Sequence, residues 1–212
     1  MCFSAGASYS AAAMLGLGGI FILSQIKDKK QALFAAIPCI FAIQQLFEGF
    51  LWTSIGYNLS PVLQAIGMYG FLCFAIPFWP TWIPLSTYVM EPKKNARLGI
   101  LIFLVLGIAM SILSILWIVF HGATSQVLSC HIQYKIPATY ISGDFVLLFY
   151  VLATIAPLFI STIRYMKLFG LTILTSLFAA AFFYSGFFIS VWCFFGALVS
   201  ILIFMIIRQN KD

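Results

Sequence analysis

The sequence predicts an all-α fold: a polytopic transmembrane helix bundle of about seven spans, N-terminus outside and C-terminus cytoplasmic. Three observations predict it. The chain has 212 residues, 63% of them hydrophobic and 8% charged, where a soluble domain is about 25% charged. Its mean hydropathy is +1.10, and a chain so apolar cannot cover a surface facing water, although a bilayer accepts it. Its basic residues sit in short clusters between apolar runs, the arrangement that sets topology.

A helix needs about 20 apolar residues to cross the hydrocarbon core. Runs at or near that length cover residues 9–26, 32–55, 62–80, 98–120, 137–161, 168–184 and 187–207, and together they leave room for a single domain, 1–212. The first run stops at Lys27-Asp28-Lys29-Lys30, and the second at a turn of Gly56, Asn58, Ser60 and Pro61. The third leads into Pro77-Phe78-Trp79-Pro80-Thr81-Trp82-Ile83-Pro84, where three prolines remove three donors and block a regular helix. That stretch is expected to be an interfacial exit with its tryptophans at the headgroups, or else a broken helix lining a cavity. The final apolar block is long enough for two spans, and Tyr184-Ser185-Gly186 marks the turn between them.

The loop charges orient the bundle. With seven spans, Lys27, Lys29, Lys30, Lys93, Lys94, Arg97, Arg164, Lys167, Arg208 and Lys211 share one side, and only Lys135 falls on the other. The positive-inside rule makes the crowded side cytoplasmic. The same clustering argues against nucleic acid as the partner of the +6 net charge; membrane lipids are the expected surroundings. The N-terminus lacks the basic stretch of a cleavable signal peptide. On the outer side, Cys130, Ile132, Tyr134 and Ile136 alternate with His131, Gln133 and Lys135, which predicts a strand or hairpin over the outer mouth, a lid or a folded connector.

Charges inside a membrane are costly and mark function by default. Glu48 and Asp144 fall within spans, both toward the outer half. Gln44 and Gln45 precede Glu48 by four and three residues and Trp52 follows by four, so the four share a helical face. The competing reading of this stripe is an interhelical hydrogen-bond network that only locks packing. Cys39 and Cys73 read as small buried hydrophobes. Cys193, with Gly196 and Ser200, reads as a packing stripe or as a reactive thiol. Cys2, Glu48, His121, Cys130, His131, Asp144 and Cys193 all map to the outer third. They are ligand types for zinc, copper or iron, although no fixed metal motif joins them. A Cys2–Cys130 disulfide competes for two of them. There is no Walker loop, Gly-rich dinucleotide turn or G-x-S-x-G elbow.

The opening Met1-Cys2-Phe3-Ser4-Ala5 resembles the start of a family of small uncharacterised bacterial integral membrane proteins, a domain of unknown function. The likeness continues in Gln45-Leu46-Phe47-Glu48-Gly49-Phe50-Leu51-Trp52, in Pro80-Thr81-Trp82-Ile83-Pro84-Leu85 and in Trp192-Cys193. It implies a bacterial inner-membrane setting and brings no activity with it. The expected function is a binding site facing outward within the membrane, for a small cation, metal ion or polar ligand, in transport or sensing. Glu48 would supply charge, Gln44, Gln45 and Asp144 polar contacts, and Trp52 and Trp192 the walls. The metal candidates are Cys2, Glu48, His121, His131 and Cys193. The alternative is an enzyme at the outer leaflet, with a Cys nucleophile or a metal centre and Glu48 or Asp144 as acid/base.

Overall fold

Ser4 opens the first helix. Its hydroxyl accepts a hydrogen bond from the Ala7 N–H at 3.2 Å, satisfying one of the free donors of a helix start, and α1 runs Ala5–Ser24. The computed structural model describes residues 4–128, 131–137, 143–199 and 201–209, and all their side chains except those of residues 143–145, 185, 197–199 and 201. Asp28 caps a single 3-10 turn, Lys29–Gln31, through the Lys30 N–H. After it come α2 (Ala32–Ala35) and α3 (Ile37–Gly56), separated at Ala36 just before Pro38.

The proline-rich stretch is not an exit from the bundle. α4 (Pro61–Cys73), a π-helical segment (Phe74–Phe78) and α5 (Trp79–Met90) form one continuous span, Pro61–Met90. The wider π turn absorbs the missing donors, and neighbouring helices take up the freed carbonyls. The Tyr150 hydroxyl donates to the Ala75 carbonyl at 2.8 Å, and the Ser111 hydroxyl donates to that of Pro77. Trp79 is buried rather than at a headgroup level, and it lines an internal cavity. The broken-helix expectation is therefore the nearer of the two.

α6 (Lys94–His121) ends at Gly122, whose φ of 73° suits glycine. β1 (Thr124–Leu128) and β2 (His131–Lys135) form the expected hairpin, antiparallel with Gln126 opposite Gln133. Ile132 and Tyr134 point inward and Lys135 outward, as the alternation predicts, but His131 is buried too. α7 (Gly143–Ile160) and α8 (Met166–Phe183) lead to a 3-10 turn, Ser185–Phe187, at the expected place. α9 (Phe188–Val199) and α10 (Ile201–Gln209) complete the described order.

Five helices are long and apolar enough to cross a membrane: Ala5–Ser24, Lys29–Gly56, Pro61–Met90, Lys94–His121 and Met166–Phe183, with Val146–Ile160 a shorter apolar helix. The expected run at 187–207 is carried by α9 and α10, 12 and 9 residues long, on either side of position 200. Surface and core are arranged as lipid demands. α1 exposes Met14, Leu17, Ile20 and Phe21 while burying Ser8, Ala11, Ala12 and Gly19. Small residues let membrane helices approach closely; a Cβ at Gly19 would collide with the Cys39 backbone and thiol of α3. Cys73, expected inside, is exposed on the bundle exterior.

One end of the bundle is tied by Glu91. Its carboxylate accepts from the Ser161 hydroxyl at 2.7 Å, the Thr162 N–H at 2.9 Å, the Thr162 hydroxyl at 2.5 Å and the Lys93 N–H at 3.2 Å. The loop after α5 is thereby joined to the loop after α7. The hairpin occupies the other end, where β2 packs on α9 and on the turn before it.

Candidate functional site

α3 places the polar stripe. Gln44 and Gln45 are fully buried, and Glu48, one turn on, is 1% exposed. Four-residue spacing stacks Gln44, Glu48 and Trp52 along one face. Two other elements close on that face. From α9, the Ser190 hydroxyl donates to Glu48 Oε1 at 2.5 Å. From α5, Trp79 Nε1 donates to Gln44 Oε1 at 2.9 Å. Cys193, three residues after Ser190 and on the same side of α9, lies against Gln44 and within electrostatic reach of Glu48. Tyr134 of β2 comes within the same reach of Glu48 and Cys193.

Several polar atoms around Glu48 are buried without a hydrogen-bond partner in the protein: Gln44 Nε2, both amide atoms of Gln45, Trp52 Nε1 and the Tyr134 hydroxyl. Gln45 lies beside the Glu48 carboxyl without reaching hydrogen-bond geometry. Gln44 Nε2 stands in the same relation to the Cys193 thiol. A buried group left unpaired costs about 1–3 kcal/mol, so this cluster is the least satisfied part of the described interior.

Cavities flank the cluster. Toward the hairpin, Ile132, Tyr134, Gly186, Phe187, Phe188 and Ile189 enclose about 230 Å³. Deeper, about 60 Å³ lies among apolar and aromatic side chains that include Phe41, Trp79, Tyr150, Trp192 and Cys193. Trp192 thus walls the inner cavity, where its ring meets Tyr150 edge-on at 5.6 Å. Tyr134 is fixed by stacking on Phe71, ring centres 4.8 Å apart. Outside the membrane-spanning helices, burial pushes the Tyr134 phenol well above its usual range, and the nearby Glu48 and Cys193 add to that. It stays a neutral donor and acceptor at any physiological pH.

The expected metal set does not assemble. Among the described residues no three His, Cys, Asp or Glu side chains come together as a metal site. His121 ends α6 as expected, but it is exposed, stacked on Trp117 at 3.7 Å with Nδ1 against the Trp117 carbonyl. His131 is buried between Tyr184 and Phe187 and stacks on the latter at 4.7 Å. Cys2 and Cys130, and so their disulfide, lie outside the described residues, as does the Asp144 side chain; the Asp144 backbone belongs to the first turn of α7 as described. Cys193 has amide, phenol and carboxyl neighbours, not the cationic partner that activates a thiol.

Sequence reasoning missed Ser190, Tyr150 and the buried role of Trp79. Ser190 was the most accessible of these, since it sits three residues before Cys193 and so shares its helical face. Tyr134 was visible in the strand alternation, though not as a site residue.

The helices and their buried polar cluster define a helical protein of the multi-pass membrane type, with five helices of spanning length. More particularly, the chain belongs to the family described as a family of unknown function (DUF6629), whose model matches residues 1–212. No curated protein and no solved structure matches the chain.

Proposed function

We propose that this chain is a seven-span protein of the bacterial inner membrane, with the hairpin end outside, that binds a small cation or polar ligand at Glu48 for transport or sensing. One observation carries the reading: a buried carboxyl surrounded by buried polar atoms that the protein leaves without partners. Intramembrane acids are retained at a cost, and unpaired neighbours add to it. A bound molecule that supplies the missing partners removes both penalties. Gln44 Nε2, Gln45 Nε2 and Trp52 Nε1 are donors, and a bare metal ion offers nothing to a donor. A ligand with polar groups of its own suits the cluster better. The cavity beneath the hairpin is its route, with Tyr134 between that space and Glu48.

The test is thermal unfolding of the detergent-purified chain with sodium, guanidinium, glycine or urea as probes. At least one should raise the midpoint of the unaltered protein and leave that of Glu48→Gln unmoved. If Glu48→Gln unfolds at the same temperature and answers every probe as the parent does, the site has no such role.

A further inference from the structure

Resting on the Glu48 site proposed above, we infer that the outer cavity takes a small organic ammonium, of the tetraalkylammonium or amino-alcohol kind, in preference to a metal ion. The walls carry the argument. Three of the six lining residues are aromatic, Tyr134, Phe187 and Phe188, and the others are Ile132, Ile189 and Gly186. An ammonium bearing alkyl groups is attracted to aromatic faces and gives up its water easily, and aromatic cages hold such cations. A metal ion instead needs several oxygen, nitrogen or sulfur ligands, and the described residues do not gather them.

These walls are preorganised. Tyr134 is held by Phe71, Phe187 by His131, and Phe188 tilts against Trp192 at 5.4 Å. Rings already fixed by other rings lose little freedom when a ligand arrives. The volume of about 230 Å³ accepts a branched ammonium of choline size. Charge agrees with the walls. Lys135 is exposed on the outward side of β2, away from Tyr134. The negative group in reach is Glu48, which acts electrostatically on Tyr134 at the cavity wall. The Tyr134 hydroxyl lines the cavity, is 9% exposed as a residue and has no partner; it is placed to meet an oxygen on the ligand.

The experiment titrates the purified full chain with choline chloride against sodium chloride of equal ionic strength. A third arm uses dimethylbutanol, the neutral isostere with carbon in place of nitrogen. Thermal midpoint and tryptophan fluorescence are the readouts. Choline should bind saturably, the isostere at least tenfold more weakly, and Glu48→Gln should lose the preference for the charged probe. Phe187→Leu keeps an apolar wall and removes the ring; it should weaken choline about five- to tenfold. Phe188→Leu is the second variant if Phe187→Leu fails to fold. Equal binding of choline and its isostere would overturn the inference, because the cavity would then be merely apolar. If choline leaves the parent unmoved while guanidinium or sodium acts through Glu48, the ammonium assignment falls and the Glu48 site stands. If choline and every other probe leave the parent unmoved, both fall.

Discussion

Removal of the Glu91 carboxylate should unfasten the end of the bundle opposite the hairpin. Glu91 is 2% exposed and receives four hydrogen bonds from three residues on two loops. A hydrogen bond to a charged group is worth about 1.5–3 kcal/mol. The four share one carboxylate and are not additive, so Glu91→Ala should cost about 3 kcal/mol. For a chain of this size that lowers the thermal midpoint by about 6–12 °C. Glu91→Gln keeps the shape but turns one oxygen into a donor, and should cost about half as much. The pH dependence follows from the same contacts. Burial works to raise the Glu91 carboxyl, yet the hydrogen bonds from Thr162, Ser161 and Lys93 outweigh it and hold it below the ordinary glutamate value. A carboxyl lowered on folding stabilises fully above its unfolded value, about 4.3, and loses that contribution as pH falls through the folded value. The assay is thermal unfolding in detergent between pH 7 and pH 3, with Thr162→Val completing a double-mutant cycle. A Glu91→Ala midpoint within about 1 °C of the parent would refute the reasoning. So would parallel acid curves for the parent and Glu91→Gln.

Two further outcomes are expected. A Cβ at Gly107 would overlap the Pro80 carbonyl, whereas Gly18 has open space around it; Gly107→Ala should therefore lower the thermal midpoint by several degrees and Gly18→Ala should leave it unchanged. For topology, a single cysteine at Gln126 in the hairpin should react with an impermeant maleimide on intact cells, while one at Asn95 should react only after the membrane is opened. The reverse pattern would invert the proposed orientation.

Hydropathy found the helices because transfer into lipid is a local, additive property of short windows. It set their ends within a few residues, apart from the first turns of α7 and the far end of α5. The buried stripe was legible for the same reason: Gln44, Gln45, Glu48 and Trp52 lie within nine residues of one helix. What stayed hidden depends on long-range pairing. Ser190 meets Glu48 across 142 residues and Thr162 meets Glu91 across 71, and no window contains either pair. His131 obeyed the polar half of an alternating pattern, yet a two-stranded ribbon lying on a helix turn buries the residue next to that turn whatever its parity. The prolines misled because their effect was judged within their own helix, whereas Tyr150 and Ser111 from other helices satisfy the carbonyls they free.

The π-helical segment Phe74–Phe78 has a consequence for what changes the chain tolerates. An α-helix advances about 100° per residue, and the π turn holds one residue more than a regular turn would. Deleting a single residue there would repair the ladder and rotate everything after it by about that angle. Trp79 would swing away from Gln44, and Ile83 would leave the inner cavity. Chain length in this stretch is therefore under tighter constraint than residue identity. A substitution at Phe74 or Ile76 changes one contact, but a one-residue shortening turns the back of α5 toward Glu48 and its neighbours.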